Sequence, residues 1–411
     1  MDKPSGDSAR KGKALFLSPE APYPLTGGGP LRSASLLEYL SRRYAVHAIV
    51  FRQPGDPDPA RAIPPGLVDR VDVVDLPFHS RQALARTLRN SARLIRGTPP
   101  LLDRFAGFAG SIAKAIGEGQ YETAIMEHFW CAPYLEQVRP HAKQVILDLH
   151  NIESTWHQSV AASSRPVRAW ALRRFATASV ALERKWLPRF DLILVTSAPD
   201  AAIVRQIAPN VPVTVYPNAL PEIAAPPRHE ETEEIVFSGN LEYAPNITAI
   251  QFFASRIWPS LRSRWPSLRW RIVGKNPVGV ARLVQDDSRI VLTGFVEDAV
   301  AVLAGARVAV VPLLSGSGTR VKILEAWAAG TPVVSTTIGA AGLEGVNGAH
   351  FLIADDPGRF AEAVSSLLAS ETDRARIGAA GRQLFEQRYT WPAAWRTLDG
   401  ILGNPLAGKG V

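Results

Sequence analysis

Arg320, Lys322 and Glu325 fall within the first two turns of one predicted helix, directly behind the run Ser315-Gly316-Ser317-Gly318-Thr319. A glycine turn that feeds a helix N-terminus offers free backbone N–H groups and the positive end of the helix dipole, which together make an anion site. Two cations in that first turn, where the dipole disfavours them, imply an anion between them. Glu325, one turn on, can accept hydrogen bonds from vicinal hydroxyls such as those of a ribose. Diphosphate plus ribose describes a nucleotide-sugar. The plainer alternative is a solvated helix face with a Lys322–Glu325 pair at i,i+3.

The surrounding pattern positions these residues. Val308 to Pro312 is a short β-branched run and reads as a buried strand. Thr319 is the expected N-cap, and Arg320 to Ala329 carries Ile323, Leu324 and Trp327 at helical spacing. Gly330 and Pro332 end the helix, and Val333-Val334 begins the next strand.

The string Gly316-Ser-Gly-Thr-Arg-Val-Lys-Ile-Leu-Glu-Ala, followed by Ala-Gly-Thr-Pro-Val-Val-Ser, resembles the donor-site signature of GT-B glycosyltransferases of the retaining family 4, the group 1 type. The resemblance implies an α/β fold of two Rossmann-like parallel-sheet domains facing a cleft. It implies that Glu325 binds the donor ribose and that Gly318 and Thr319 line the donor site. Many members have a second glutamate eight positions before the first; here Ser317 stands there. The turn Ser238-Gly239-Asn240 resembles the one where many relatives hold the diphosphate with an Arg and a Lys. Neither occurs between Asn240 and Asn246, so Arg320 and Lys322 must carry the phosphates. Val296, in Gly294-Phe-Val-Glu-Asp298, matches the loop that holds the nucleobase.

The first half supplies other candidates. A strand over Lys13–Ser18 leads into Gly27-Gly28-Gly29 and a helix from about Arg32 to Arg42. Glycines there suit close backbone approach to a ligand, or form a plain turn. By resemblance, Gly28 and Gly29 face the donor phosphates. Strands over Thr123–Glu127 and Gln144–Leu149 each end in a histidine, His128 and His150. The carboxyl ends of parallel strands are where such folds bind ligands, although a single histidine there is more often structural. In the family, a histidine matching His128 lies near the transferred sugar, and the His150-Asn151 segment faces the acceptor. No metal site is expected: Cys131 is alone, and the proline-rich composition around Asp56-Pro57-Asp58 indicates a turn rather than a metal motif.

At 411 residues with 46% apolar and 20% charged content, the chain is globular and long enough for two or three domains. The formal charge of +8 is uneven: residues 1–217 hold 27 basic and 19 acidic side chains, and residues 218–411 hold 19 of each. The expected division is therefore 1–217 on the acceptor side and 218–388 on the donor side, with 389–411 a helix returning to the first domain. The segments His79–Arg96, without an acidic residue, and Arg165–Arg189, with Trp170 and Trp186, read as basic helices. An anionic membrane surface and an ordinary solvated face account for them equally well. Nucleic acid is excluded because no recognition motif accompanies the charge. No signal peptide or spanning segment is expected, so the location is cytoplasmic or peripheral on the inner face of the plasma membrane.

The function expected is transfer of a sugar from a nucleoside-diphosphate sugar to a glycan or lipid-linked acceptor, as in polysaccharide biosynthesis, with retention and without a cofactor. A nucleotide-sugar epimerase and a catalytically silent nucleotide-binding subunit are the alternatives.

Overall fold

The computed structural model describes residues 12–25, 27–80, 82–162, 164–226, 232–316 and 321–402. The chain forms two compact units, Met1–His157 with Trp170–Val215, and Gln158–Ala169 with Tyr216–Val411.

The first unit is a seven-stranded sheet. Its strands are β1 (Lys13–Ser18), β2 (Ala45–Arg52), β3 (Arg70–Asp75), β4 (Tyr121–Glu127), β5 (Ala142–Leu149), β6 (Leu192–Val195) and β7 (Val213–Val215), in the order β3-β2-β1-β4-β5-β6-β7. All pairs are parallel. The central strands are continuous apolar runs, as a sheet covered on both faces requires. Ala14 to Leu17, Ala124 to Met126 and Val145 to Leu147 have no exposed surface. The strand order reverses between β1 and β4, so their carboxyl ends diverge into a crevice.

Helix α1 (Gly28–Ser41) follows β1. It starts four residues earlier than expected, so Gly28 and Gly29 form its first turn rather than a preceding loop. Helix α2 (Ala83–Arg96) lies between β3 and β4 and ends at Gly97, whose φ is 63°. Asp58, of the sequence Asp56-Pro57-Asp58, caps the short helix Pro59–Ala62 by accepting from the Ala60 N–H at 3.1 Å.

The second unit has six parallel strands: β8 (Thr232–Ser238), β9 (Arg269–Val273), β10 (Ile290–Gly294), β11 (Ala306–Val311), β12 (Val333–Ser335) and β13 (Leu352–Ile353). Their order is β10-β9-β8-β11-β12-β13, with the reversal between β8 and β11. Helix α3 (Ala244–Phe252) follows β8, and α4 (Val321–Ala328) joins β11 to β12. Trp327, at the helical spacing read from the sequence, is fully buried, stacks on Phe351 and donates to the His350 carbonyl at 2.9 Å. The last helix, α5 (Trp391–Leu402), groups with this unit. Its first residue donates from Nε1 to the Ala219 carbonyl at 3.2 Å.

Candidate functional site

Each sheet gathers polar side chains at its switch point, and the two clusters differ in kind.

In the first unit, Glu127 and Asp148 are register partners at the ends of β4 and β5, and both are fully buried. Buried carboxylates must be paired or hydrogen-bonded. Arg32, from the second turn of α1, grips Asp148 with Nε at 2.7 Å and a terminal nitrogen at 2.5 Å. Glu127 Oε2 accepts from Ser18 Oγ at 2.8 Å and from Ser33 Oγ. Burial alone would raise the Asp148 carboxyl, but the Arg32 charge and His150 hold it well below the usual carboxylate range. Arg32 is thus committed to a carboxylate.

His128 and His150 meet, with ring centroids 3.6 Å apart. His150 Nε2 lies 3.2 Å from Asp148 Oδ2 and 3.7 Å from Glu127 Oε1. Burial pulls this imidazole down, yet the two carboxylates outweigh it and push its pKa up to about 9. His128 moves the other way, lowered by burial and then by the His150 charge. At neutral pH the pair is one cation beside one neutral ring. His128 also holds a left-handed backbone, φ 58°, unusual outside glycine. Its N–H donates to the Asp148 carbonyl at 2.8 Å, and its ring stacks on Trp130 at 4.2 Å. Trp130 in turn donates to Glu153 Oε1 at 2.7 Å, and burial raises that carboxyl to about 7. Such over-determined strain clusters at functional sites.

Two triads there have ligand atoms within 4.8 Å of one another: Glu20 with His128 and His150, and Glu127 with Asp148 and His150. The second fits a metal poorly, because Arg32 already occupies both Asp148 oxygens and Glu127 Oε2 accepts two hydroxyls. The Glu20 carboxylate occupies the space where a Cβ on Gly29 would stand, at the start of α1.

In the second unit the floor is backbone. Gly239 and Gly274, at the ends of β8 and β9, have φ of 150° and 159°, and a Cβ on Gly274 would overlap the Gly239 carbonyl oxygen. Only glycines allow this approach. The Gly239 N–H donates to Val273 and the Gly274 N–H to Gly294, each at 2.9 Å. Lys322 and Glu325 rise from α4 beside this floor. Lys322 Nζ donates to Asn246 Oδ1 at 3.2 Å, and Asn246 Nδ2 donates to the Asn240 carbonyl at 2.8 Å. Glu325 Oε2 accepts from Ser238 Oγ at 3.0 Å. Burial raises its carboxyl, while the Ser238 bond and the Lys322 charge oppose the rise.

Both side chains are half-buried and bonded to other elements, Glu325 to the end of β8 and Lys322 to Asn246 of α3, so this face is not simply solvated. Val296 is half-buried in the loop after β10. Gly318, Thr319 and Arg320, and Ser317 with them, lie outside the described residues.

The sequence reading missed Glu127, Asp148 and Glu153. A usable signal was present for the first two: an acidic residue at or next to the end of an otherwise apolar strand. It also missed Lys275, which follows Gly274. The Lys275 carbonyl accepts from the Leu241 N–H at 3.1 Å, so the turn without its own basic residue has one bonded to it through the backbone.

Residues 232–370 match the family described as "Glycosyl transferases group 1". This part of the chain is similar to a glycosyl transferases group 1 domain. It contains Ser238, Asn246, Lys322 and Glu325. A D-inositol 3-phosphate glycosyltransferase of Corynebacterium diphtheriae is 33% identical over 110 residues, which is 26% of this chain and 25% of that protein. The match therefore spans about a quarter of that relative's length. Among solved structures, sucrose-phosphate synthase from Thermosynechococcus elongatus has a TM-score of 0.71 at 17% identity, over 97% of this chain and 100% of the other. TarM of S. aureus gives 0.68 at 11%, over 96% and 100%. Anabaena HepE in complex with UDP and glucose gives 0.62 at 14%, over 96% and 100%. At such identities the likeness is one of fold, and that fold is the two-sheet GT-B architecture expected.

Proposed function

We propose that the chain transfers a sugar from a nucleoside-diphosphate sugar to an acceptor hydroxyl, with the anomeric configuration retained. The observation that carries this reading is the α4–β8 pairing inside the family-matched domain: Lys322 on Asn246 and Glu325 on Ser238, over a floor of glycine backbone. Glu325 has the acceptor oxygens for ribose hydroxyls, and Gly239, Asn240 and Val296 line the same sheet edge. UDP and glucose in the HepE complex, and UDP in the TarM complex, make UDP-glucose the first donor to try.

The bond from the anomeric carbon to the diphosphate breaks, and its electron pair leaves with the phosphate. Charge grows on that oxygen in the transition state, where fixed positive groups act most strongly. Lys322, the N-terminus of α4 and Arg320 supply that charge, so the reading calls on no metal cofactor. His128, neutral and rigidly held, suits hydrogen bonding to sugar hydroxyls; His150 maintains the polarity beside it. The acceptor side is assigned to the first unit and the acceptor to a glycan or lipid-linked sugar, met by the protein as a peripheral enzyme at the inner face of the plasma membrane.

The test is a panel of UDP-, GDP- and TDP-sugars with a lipid extract, following diphosphate release and the anomeric form of the product. The double replacement Arg320→Gln with Lys322→Gln is expected to lower kcat by roughly 100-fold or more and to leave thermal unfolding nearly unchanged. If most activity survives, the phosphate assignment fails and Lys275 is next in line. Free epimerised donor as the product would replace transfer by epimerisation.

A further inference from the structure

The helix Glu153–Ala162 follows β5, and its second half belongs to the second unit, which takes Gln158–Ala169 with Tyr216–Val411. Ser159 is half-buried there, between the exposed Gln158 and the buried Val160 and Ala161. A serine within a helix ordinarily returns its hydroxyl to the carbonyl one turn back or turns it to water. Ser164, just past this helix, does the first and donates to the Val160 carbonyl at 2.7 Å. The Ser159 hydroxyl is used otherwise. Its Oγ accepts from the Gly316 N–H at 3.0 Å and donates to the Gly316 carbonyl at a longer 3.4 Å, across 157 residues of sequence.

The place of Gly316 gives this bond its meaning. β11 stands at the reversal of the second sheet, beside β8, whose last residue Ser238 donates to Glu325. The chain leaving β11 is held at Leu313, whose carbonyl accepts from Thr336 Oγ1 at 2.5 Å, and Ser315 is buried. Gly316 comes next, with a φ of 120° that favours glycine. Its N–H is satisfied by Ser159 rather than by a strand or a helix. Fixing a glycine costs more conformational entropy than fixing any other residue. A ligand that meets backbone already fixed binds more tightly, because the ordering is done before it arrives.

We propose that Ser159 is a positioning residue of the donor site: its hydroxyl holds Gly316, at the start of the glycine-rich run before α4, in place for a nucleoside diphosphate. The proposal rests on the donor reading above, and the experiment separates the two. Binding of UDP, GDP and TDP to the full chain is measured by calorimetry, and amide hydrogen exchange over Leu313–Gly316 is followed without ligand. Ser159→Ala should weaken binding of the nucleotide that the wild type prefers by roughly 3–10-fold and should speed exchange at Gly316. Its melting temperature should not fall, because alanine is the better helix former. Ser159→Thr keeps the hydroxyl and should bind like the wild type. Equal affinity in the wild type and Ser159→Ala, or unchanged exchange at Gly316, overturns the proposal and leaves the donor reading standing. So does a loss in Ser159→Thr as large as in Ser159→Ala, which would put packing in place of the hydrogen bond. A lower melting temperature, with faster exchange throughout the second unit, would make Ser159 a folding residue and overturns the proposal as well. A wild type that binds none of the three nucleotides overturns the donor reading, and the proposal with it.

Discussion

The two strand-end clusters sit at equivalent points of two similar sheets but handle charge in opposite ways. At β4 and β5 the charges neutralise one another: Arg32 is closed on Asp148 by two bonds, and His150 lies between two carboxylates. At β8 and α4 a neutral group meets each charge, Lys322 donating to an amide and Glu325 accepting from a hydroxyl, while the Lys322 charge also acts on Glu325. A guanidinium already paired with a buried carboxylate has little to offer a phosphate. The first cluster therefore holds the strained His128 and its neighbours in place, and the second is the one to which the proposed function assigns the charged ligand.

The largest expected effect comes from opening the first cluster. Arg32→Met leaves the buried Asp148 with only His150 to offset its charge, and should cost about 3 kcal/mol in chemical denaturation. Adding Asp148→Leu should recover much of that loss; if the double variant is no better than the single one, the carboxylate is not the source of the penalty.

Next is the pH dependence. His150 has a folded pKa of about 9, above its unfolded value, so its contribution is complete below about pH 6.5 and lost as pH rises through 9. That loss is roughly 3 kcal/mol. His150→Gln should flatten this part of the stability curve. An identical slope in the variant would show that the imidazole is not the titrating group.

The second cluster should respond in binding rather than in folding. Glu325→Ala is expected to weaken nucleotide affinity by about 1.5–3 kcal/mol in calorimetry, with a near-native melting temperature. A large loss of stability with intact affinity would move Glu325 into the structural class of Asp148. The smallest change is at Ser238→Ala, which removes one neutral hydrogen bond to Glu325 and should cost about 1 kcal/mol of nucleotide affinity. Unaltered affinity there, with Glu325→Ala impaired, would mean that Ser238 does not orient the carboxylate.

Tryptophans illustrate how far composition can be trusted. Trp170 and Trp186 read alike on one basic helix, but they part company in the fold. Trp170 is 58% exposed, whereas Trp186 is buried with Lys185 and Arg189 over its ring. Nothing in a window of neighbouring residues separates the two, because burial is set by what packs against the helix from elsewhere.

What the chain's own pattern determined was local or periodic. Runs of β-branched residues placed the strands to within a few residues. Glycines marked the turns, and the spacing of Ile323, Leu324 and Trp327 gave α4 its buried face. The similarity of residues 232–370 to group 1 glycosyl transferases was legible because a glycine-rich run, a helix and its glutamate lie in one continuous stretch. Tertiary structure decided the partners. Arg32 meets Asp148 across 116 residues, Lys322 meets Asn246 across 76, and Glu325 meets Ser238 across 87. It also decided that His128 and His150, read as two separate candidates, share one stack, and that α2 turns Leu84, Leu88 and Ile95 to solvent. Periodicity specifies which residues share a face. Where that face points, and whether a charge on it is already answered, depends on side chains brought alongside by the folding of distant strands.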